Sequence, residues 1–105
     1  MPVTRSSMLA ETQIHDILRN DRRRRVIEYL QESVGTVTLR ELAESIACHE
    51  CDADPAPRPL RESVYNSLHQ THLPKLDREG VVAYDEHRKT VALQPTAREV
   101  IGRAH

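Results

Sequence analysis

The strongest hydrophobic pattern in the chain follows Thr38 and predicts an amphipathic helix. Its apolar positions have the spacing i, i+3, i+4, i+7 and i+8 and are Leu39, Leu42, Ala43, Ile46 and Ala47. Thr38 and Glu41 match the S/T-x-x-E capping box, in which each side chain bonds a backbone amide at the helix start. The three prolines of residues 52–59 remove backbone donors, so this stretch is predicted to be a loop.

Two shorter helices are predicted before this one. Apolar residues at helical spacing place the first near residues 10–19. Asn20 or Asp21 is the N-cap of the second, which ends before a brief extended segment at residues 36–38. Residues 1–9 have no periodicity and are predicted to be a disordered start.

A long helix is predicted from about Leu60 to Glu79, with Gly80 as the left-handed residue that ends it. Pro74 lies inside this pattern and is expected to kink or divide the helix, because proline lacks a backbone N–H. The positions expected on the buried side of the helix are Tyr65, Leu68, His69, His72, Leu73 and Leu76.

A β-hairpin is predicted over residues 81–93. Two short apolar stretches, 81–84 and 90–93, flank the polar segment 85–89. Helices followed by a two-stranded hairpin and a C-terminal helix predict an α+β fold, mostly α, of the winged helix-turn-helix type. Residues 10–105 are expected to form this single domain.

Composition allows one small domain and excludes some classes of protein. The 105 residues carry 15 basic and 16 acidic side chains, a formal net charge of −1, which excludes a protein that coats nucleic acid by bulk charge. Residues 31–60 hold six of the acidic side chains and only two basic ones, which leaves room for a mildly basic face elsewhere. Because no stretch approaches a membrane span and the N-terminus lacks the layout of a secretory signal, the protein is expected to be cytoplasmic.

Several segments resemble the winged-helix regulators of the ArsR-like group. Residues 71–82 (THLPKLDREGVV) resemble the segment that joins recognition helix and wing in those repressors, and residues 20–30 (NDRRRRVIEYL) resemble their first-helix signature. Residues 91–96 are similar to their strand-to-helix exit. From about Ile14 to Ile101 the chain also resembles a haloarchaeal winged-helix family recorded as a domain of unknown function, through RRRxVIxYL, LxELAxxIA and HLPKLDxxGVVxYD. These resemblances imply a DNA-binding domain of a transcription regulator.

The outward side of the long helix carries residue types that contact DNA bases. With the apolar side turned to the core, the outward positions are Ser63, Asn66, Ser67, Gln70 and Thr71. Asn and Gln can make paired hydrogen bonds to adenine in the major groove. Arg61 and Lys75 suit contacts with phosphates, which need charge and reach. An ordinary solvated helix face is the alternative explanation of this pattern.

The predicted hairpin tip is a second candidate for DNA contact. His87, Arg88 and Lys89 suit phosphate or minor-groove contacts, although Asp85 and Glu86 partly cancel their charge. The alternative explanation is a charged turn that keeps an edge strand soluble.

The run Arg22–Arg25 is a weaker candidate than its charge suggests. Four consecutive residues spread around the circumference of a helix and cannot form one face. Arg23 stands where the ArsR-like signature keeps an arginine, and the resemblance implies a structural role for it.

The residues that could hold a metal are Cys48, Cys51, His69 and His72. The two cysteines have the CxxC spacing of half a zinc site, and the two histidines could complete it. A half-buried thiol at a helix end and core-facing histidines explain the same residues, so no metal or other cofactor is expected. The chain has no glycine-rich phosphate loop and no G-x-S-x-G motif, and it is not expected to be an enzyme.

The sequence therefore predicts a sequence-specific DNA-binding transcription regulator, with helix 60–79 in the major groove and hairpin 81–93 on the backbone. A homodimer is expected because one short recognition helix contacts few base pairs, with the first helix, the last helix or both at the interface. Two alternatives stay open: a winged-helix protein-interaction module without DNA binding, and a metal- or thiol-responsive sensor that uses Cys48 and Cys51.

Overall fold

The computed structural model describes residues 9–104, so the predicted disordered start lies outside the described residues except for Leu9, which is buried. In chain order the elements are α1 (Glu11–Leu18), α2 (Asp21–Gln31), β1 (Val37–Thr38), α3 (Leu39–Cys51), α4 (Arg58–Ser67), a π-helical turn (Leu68–His72), α5 (Leu73–Arg78), β2 (Val82–Asp85), β3 (Thr90–Leu93) and α6 (Ala97–Ala104). The predicted class is confirmed. The fold is α+β and mostly helical, and it is compatible with a winged helix.

The two helix starts that the sequence marks most clearly form as predicted. The Asn20 carboxamide oxygen accepts a hydrogen bond from the Arg23 backbone N–H at 3.1 Å and caps α2. At α3 the Thr38 hydroxyl accepts from the Glu41 N–H, and the Glu41 carboxylate accepts from the Thr38 N–H, each at 3.1 Å. Such caps stabilise a helix by about 1 kcal/mol. The capping box fixes the direction in which α3 leaves the sheet.

The long helix starts earlier than the sequence predicts. It begins at Arg58 instead of near Leu60, and Pro59 lies in its first turn. Proline is tolerated there because the first N–H groups of a helix have no partner within it. The prediction of a loop over residues 52–59 is therefore wrong for its last two residues, Arg58 and Pro59, which belong to α4.

The long helix widens into a π turn just before Pro74. α4 continues through this turn into α5 with right-handed helical backbone, and the Leu73 N–H donates to the Leu68 carbonyl, five residues back. Pro74 has no N–H to donate to the Gln70 carbonyl, as an α-helix would require. The interruption predicted at Pro74 is present, but it widens the helix and does not break it.

The π turn also keeps the long helix amphipathic. Val64, Leu68, Leu73 and Leu76 are all fully buried, although Leu68 and Leu73 are five positions apart. In an α-helix, five residues carry a side chain about 140° beyond a full turn, which would turn Leu73 away from the core. The wider turn returns Leu73 to the side of Leu68. Tyr65 and His69, also predicted on the buried side, are half-buried at its edge.

The hairpin and β1 form a three-stranded antiparallel sheet in the order β1-β3-β2. The hairpin has the predicted extent, and it pairs Asp85 with Thr90 next to its tip. The brief extended segment predicted at residues 36–38 forms β1, but the predicted two-stranded wing does not include it. In the structure β1 pairs with β3 through Val37 and Val91, both of which are buried. This long-range pairing leaves no local signal in the sequence.

The helices pack so that the outer side of α4 and the hairpin tip stay uncovered. α3 packs against α4 across the core, and α1 packs against α6 near the two ends of the described chain. α5 packs against β2, which holds the hairpin beside the second half of the long helix. No helix within residues 9–104 is long and apolar enough to cross a membrane.

Candidate nucleic-acid interface

The outer side of the long helix, the polar face, carries side chains that are free to bind. Its residues are Ser63, Asn66, Gln70 and Thr71, which are exposed as predicted, and Ser67, which is half-buried. Within residues 9–104, none of these five side chains is hydrogen-bonded to another residue. The amides of Asn66 and Gln70 therefore keep both donor and acceptor groups for a partner outside the chain.

A groove between α3 and α4 adds cations beside the polar face. The residues that line it are Arg40, Ala43, Glu44, Arg58, Arg61, Glu62, Tyr65 and Asn66. Arg40 and Arg58 lie in the first turns of α3 and α4. Local sequence patterns do not single out these two arginines, because only the crossing of the two helices brings them next to Asn66.

The arginines of this groove are loosely held. Arg58 is 80% exposed, and its Nε donates to Glu62 at 3.0 Å. Arg61 lies 3.8 Å from Glu44, and its Nε is buried without a hydrogen-bond partner among the described residues. Exposed ion pairs contribute roughly 0–1 kcal/mol, so a phosphate can compete for these guanidinium groups. The phosphate contact predicted for Arg61 stays a prediction.

Lys75 is half-buried and paired with two carboxylates, unlike the arginines of the groove. Its Nζ lies 2.8 Å from Asp16 Oδ2 and 3.2 Å from Glu79 Oε2. The hydrogen bond with Asp16 is the main cause that raises the pKa of Lys75 and lowers the pKa of the Asp16 carboxyl. The ammonium group therefore ties α5 to α1, and its charge is already matched, so it does not strengthen the predicted phosphate contact.

The hairpin tip presents two of its three predicted residues to solvent. The Asp85 carboxylate accepts from the backbone N–H groups of His87 at 3.0 Å and Arg88 at 3.1 Å, which fixes the turn. The Arg88 side chain is 82% exposed and lies 3.9 Å from Asp85. Lys89 has a positive φ of 58°, and its ammonium donates back to the Glu86 carbonyl at 2.6 Å. Arg88 is thus the most available cation of the tip.

A histidine–tyrosine contact joins the long helix to the hairpin. His69 Nδ1 and the Tyr84 hydroxyl oxygen are 2.6 Å apart, and the two rings meet edge to face. Burial, with smaller effects from Tyr65 and Glu86, raises the pKa of Tyr84 to about 12. The hydroxyl therefore stays protonated across the physiological range.

The four consecutive arginines of α2 do not form a cationic patch. Each side chain has an internal partner: Arg22 bonds Glu50, Arg23 bonds Asp16 and His72, Arg24 bonds Asp21 and the Leu18 carbonyl, and Arg25 bonds Glu28 and His49. Arg22 makes a two-point contact with Glu50, which raises the pKa of Arg22 and lowers that of Glu50. The side chains spread around the helix as predicted and join α2 to its neighbours.

His72 is a buried part of this network. It is 7% exposed, and its Nδ1 accepts from Arg23 Nε at 3.1 Å. Burial lowers the pKa of His72, and the charges of Arg23 and Arg22 lower it further. Because Nδ1 is the acceptor, the proton of the neutral ring lies on Nε2.

The four residues considered for a metal are not gathered into one site. His69 and His72 are bonded to Tyr84 and Arg23, as described above. Cys48 and Cys51 are half-buried free thiols, and Cys48 lies 3.6 Å from an Asp54 carboxylate oxygen. Within the described part of the chain, no group of three or more His, Cys, Asp or Glu residues is arranged to hold a metal ion.

One protein family, described as "Domain of unknown function (DUF7344)", matches residues 15–92 of the chain. The match includes α2, α3, the long helix and most of the sheet. No curated protein and no solved structure matches the chain.

Proposed function

The chain belongs to the DUF7344 family, a domain of unknown function, and we propose that it binds double-stranded DNA in a sequence-specific way and regulates transcription. The polar face of the long helix enters the major groove, and the hairpin tip lies on the neighbouring backbone. The resemblance of residues 71–82 and 20–30 to ArsR-like regulators supports this arrangement.

One observation carries the proposal: the exposed Asn66 and Gln70 amides lack partners within residues 9–104, and Asn66 lies beside the arginines of the α3–α4 groove. Amide side chains can distinguish adenine in the major groove by paired hydrogen bonds. Arg40 and Arg58, in the first turns of two crossing helices, suit the phosphates on the rim of the groove.

The charge distribution matches a protein whose non-specific affinity for DNA is low. Non-specific binding follows the number of phosphates that cations neutralise. Here the arginines of α2 are matched by carboxylates and other internal groups, and Glu44 and Glu62 lie among the cations of the α3–α4 groove. Base contacts by the polar face therefore have to supply much of the affinity for a true site.

A homodimer fits this function. One long helix reaches few base pairs, and a two-fold pair doubles the site. α1 and α6 lie side by side, and Leu18, Ile27, Val100 and Ile101 line a small recess at this end of the molecule. We place the dimer contact at α6, where Ile101 is partly exposed beside this recess.

The experiment that tests the proposal is selection of duplexes from a random library, followed by titration of the recovered duplex at several salt concentrations. Asn66→Ala and Gln70→Ala are expected to reduce discrimination at single base positions by about 1–3 kcal/mol each. Val34→Ala shortens a fully exposed side chain in the loop after α2, outside the polar face and outside the recess, and is the control, with no expected change. Absence of duplex binding even at low salt would overturn the proposal.

A protein-interaction module is the rival function, and the mixed charge of the surface favours it. Glu44 and Glu62 alternate with arginines in the groove, and Asp85 and Glu86 flank the cation of the tip. If selection recovers no duplex, the same surface is the place to test for a protein partner.

A further inference from the structure

Two hydrogen-bonded contacts join the long helix to the hairpin, in addition to the packing of α5 against β2. At the base of the hairpin, the Val81 N–H donates to the Leu76 carbonyl at 2.9 Å. Farther along β2, the Tyr84 hydroxyl and His69 Nδ1 are 2.6 Å apart, with ring centroids separated by 6.1 Å and ring planes at 78°. On its other edge the hairpin is held by β1, and the Leu39 N–H donates to the Lys89 carbonyl at 2.8 Å. The His69–Tyr84 contact adds a direct side-chain link between the long helix and β2.

The second contact lies between the two parts of the proposed DNA surface. His69 directly precedes Gln70 of the polar face. Tyr84 directly precedes Asp85, whose carboxylate accepts from the backbone N–H groups of His87 and Arg88 and shapes the tip. A short chain of fixed groups therefore runs from the polar face to Arg88.

We propose that His69 and Tyr84 are positioning residues that set the distance and angle between the polar face and Arg88, so that base and phosphate contacts form together. This inference rests on the proposed DNA binding. The pair holds the hairpin in place, and its effect on DNA affinity is exerted through Arg88.

The His69–Tyr84 bond does not depend on one protonation state of the imidazole. A neutral ring accepts from the Tyr84 hydroxyl or donates to its oxygen, and a protonated ring donates. The edge-to-face ring contact is kept in either state. The His69–Tyr84 contact can therefore form with either protonation state of the imidazole.

The π turn explains why His69 is available for this contact. His69 lies in the widened part of the helix, which returns Leu73 to the buried side. With this wider turn, His69 lies half-buried at the edge of the core, opposite β2. A regular α-helix through the same residues would give these side chains a different spacing around the axis.

A double-mutant cycle on the duplex recovered by selection tests the inference. Arg88→Ala in the wild type is expected to weaken binding by about 3- to 10-fold and to reduce the salt slope by about 1. Tyr84→Phe keeps the ring and removes the hydroxyl. In the Tyr84→Phe background, Arg88→Ala is expected to weaken binding by less than about 2-fold, because the hairpin tip no longer places Arg88 against the DNA phosphates.

Tyr29→Phe is the matched control. It removes a tyrosine hydroxyl that donates to Glu41 at 2.7 Å, between α2 and α3, and it leaves the His69–Tyr84 contact intact. Arg88→Ala is expected to have its full effect in this background. An equal loss on Arg88→Ala in the wild type, Tyr29→Phe and Tyr84→Phe backgrounds would overturn the inference.

A second measurement separates failure of this inference from failure of the proposed function. If the wild type binds no duplex, the proposed function fails. Backbone NMR order parameters for residues 86–89 then test, without DNA, whether the His69–Tyr84 contact positions the hairpin tip. Tyr84→Phe is expected to lower them relative to the wild type and to Tyr29→Phe, and unchanged order would show that the pair does not position the tip.

Discussion

The arginines of α2 and those of the candidate DNA surface use their charges in opposite ways. The arginines of α2 are consecutive in sequence, and each is bonded to another group of the protein. Arg40, Arg58 and Arg88 are scattered along the chain, yet all three are exposed on the candidate DNA surface. A run of charge in the sequence therefore does not locate a binding surface. The carboxylates and carbonyls that fold back onto each cation decide whether it is available.

The contrast is sharpest between Arg23 and Arg88. The Arg23 side chain is 12% exposed and reaches two other elements of the core, whereas the Arg88 side chain is 82% exposed and has one distant carboxylate. A buried charge that loses its partner is costly, whereas an exposed pair contributes little. Arg23 is therefore expected to affect stability, and Arg88 is expected to affect binding.

The largest expected effect is the loss of stability caused by Arg23→Ala. The substitution leaves His72 Nδ1 without its donor and removes a contact to Asp16, so we expect a loss of about 2–3 kcal/mol in the free energy of unfolding. Urea denaturation measures this loss, with Arg19→Ala, an exposed arginine paired with the same Asp16, expected within about 0.5 kcal/mol of the wild type. A stable Arg23→Ala protein with weakened DNA binding would contradict the contrast.

The second prediction concerns pH and the same buried network. The pKa of folded His72 is lowered from its ordinary value of 6.5, so the unfolded chain takes up the proton first as pH falls. Stability is therefore complete well above pH 6.5 and decreases as pH falls through 6.5 toward the lowered pKa, by at most about 1.4 kcal/mol per pH unit. Thermal unfolding from pH 8 to about pH 5 checks this slope.

His72→Gln is the control for the pH prediction. A glutamine oxygen can accept from Arg23 and does not titrate, so the slope between pH 8 and about pH 5 should flatten. The carboxyls whose pKa is lowered, Asp16, Glu41 and Glu50, act in a separate window, because their contribution is lost only as pH falls below their ordinary values near 4. An unchanged slope in His72→Gln would mean that another group causes it.

The smallest expected effect is that of metal removal and thiol replacement. Cys48 and Cys51 bond to nearby loop groups, and His69 and His72 are engaged elsewhere. EDTA treatment and the double substitution Cys48→Ser, Cys51→Ser are therefore each expected to shift the Tm by less than about 2 °C. A large loss of Tm with EDTA would revive the metal-responsive sensor.

Local patterns in the sequence predict the parts of the fold that depend on neighbours along the chain. The α3 cap and its apolar stripe need only positions 38–47, and both form. The polar face is predicted because placing Tyr65, Leu68, Leu73 and Leu76 on the core side turns the polar residues of the opposite side outward. The hairpin follows from two apolar segments and a polar turn.

The remaining features depend on contacts between distant segments. β1 needs its partner strand β3, and the α3–α4 groove needs the crossing of two helices. The Lys75 charge suits a phosphate when its own helix is considered alone, but Asp16 on α1 lies 2.8 Å away. Sequence patterns identify which cations exist, whereas packing determines which of them are already matched.

The most direct test of the central claim compares Arg88→Ala with Arg19→Ala in binding to the selected duplex as salt is varied. The two arginines have the same 82% exposure, and each lies near one aspartate in an i, i+3 pair, at 3.9 Å for Arg88 and 3.7 Å for Arg19. We expect Arg88→Ala to lose affinity for every sequence and to reduce the salt slope by about 1, while Arg19→Ala matches the wild type. Equal behaviour of the two variants would contradict the assignment of the hairpin tip and polar face as the DNA surface.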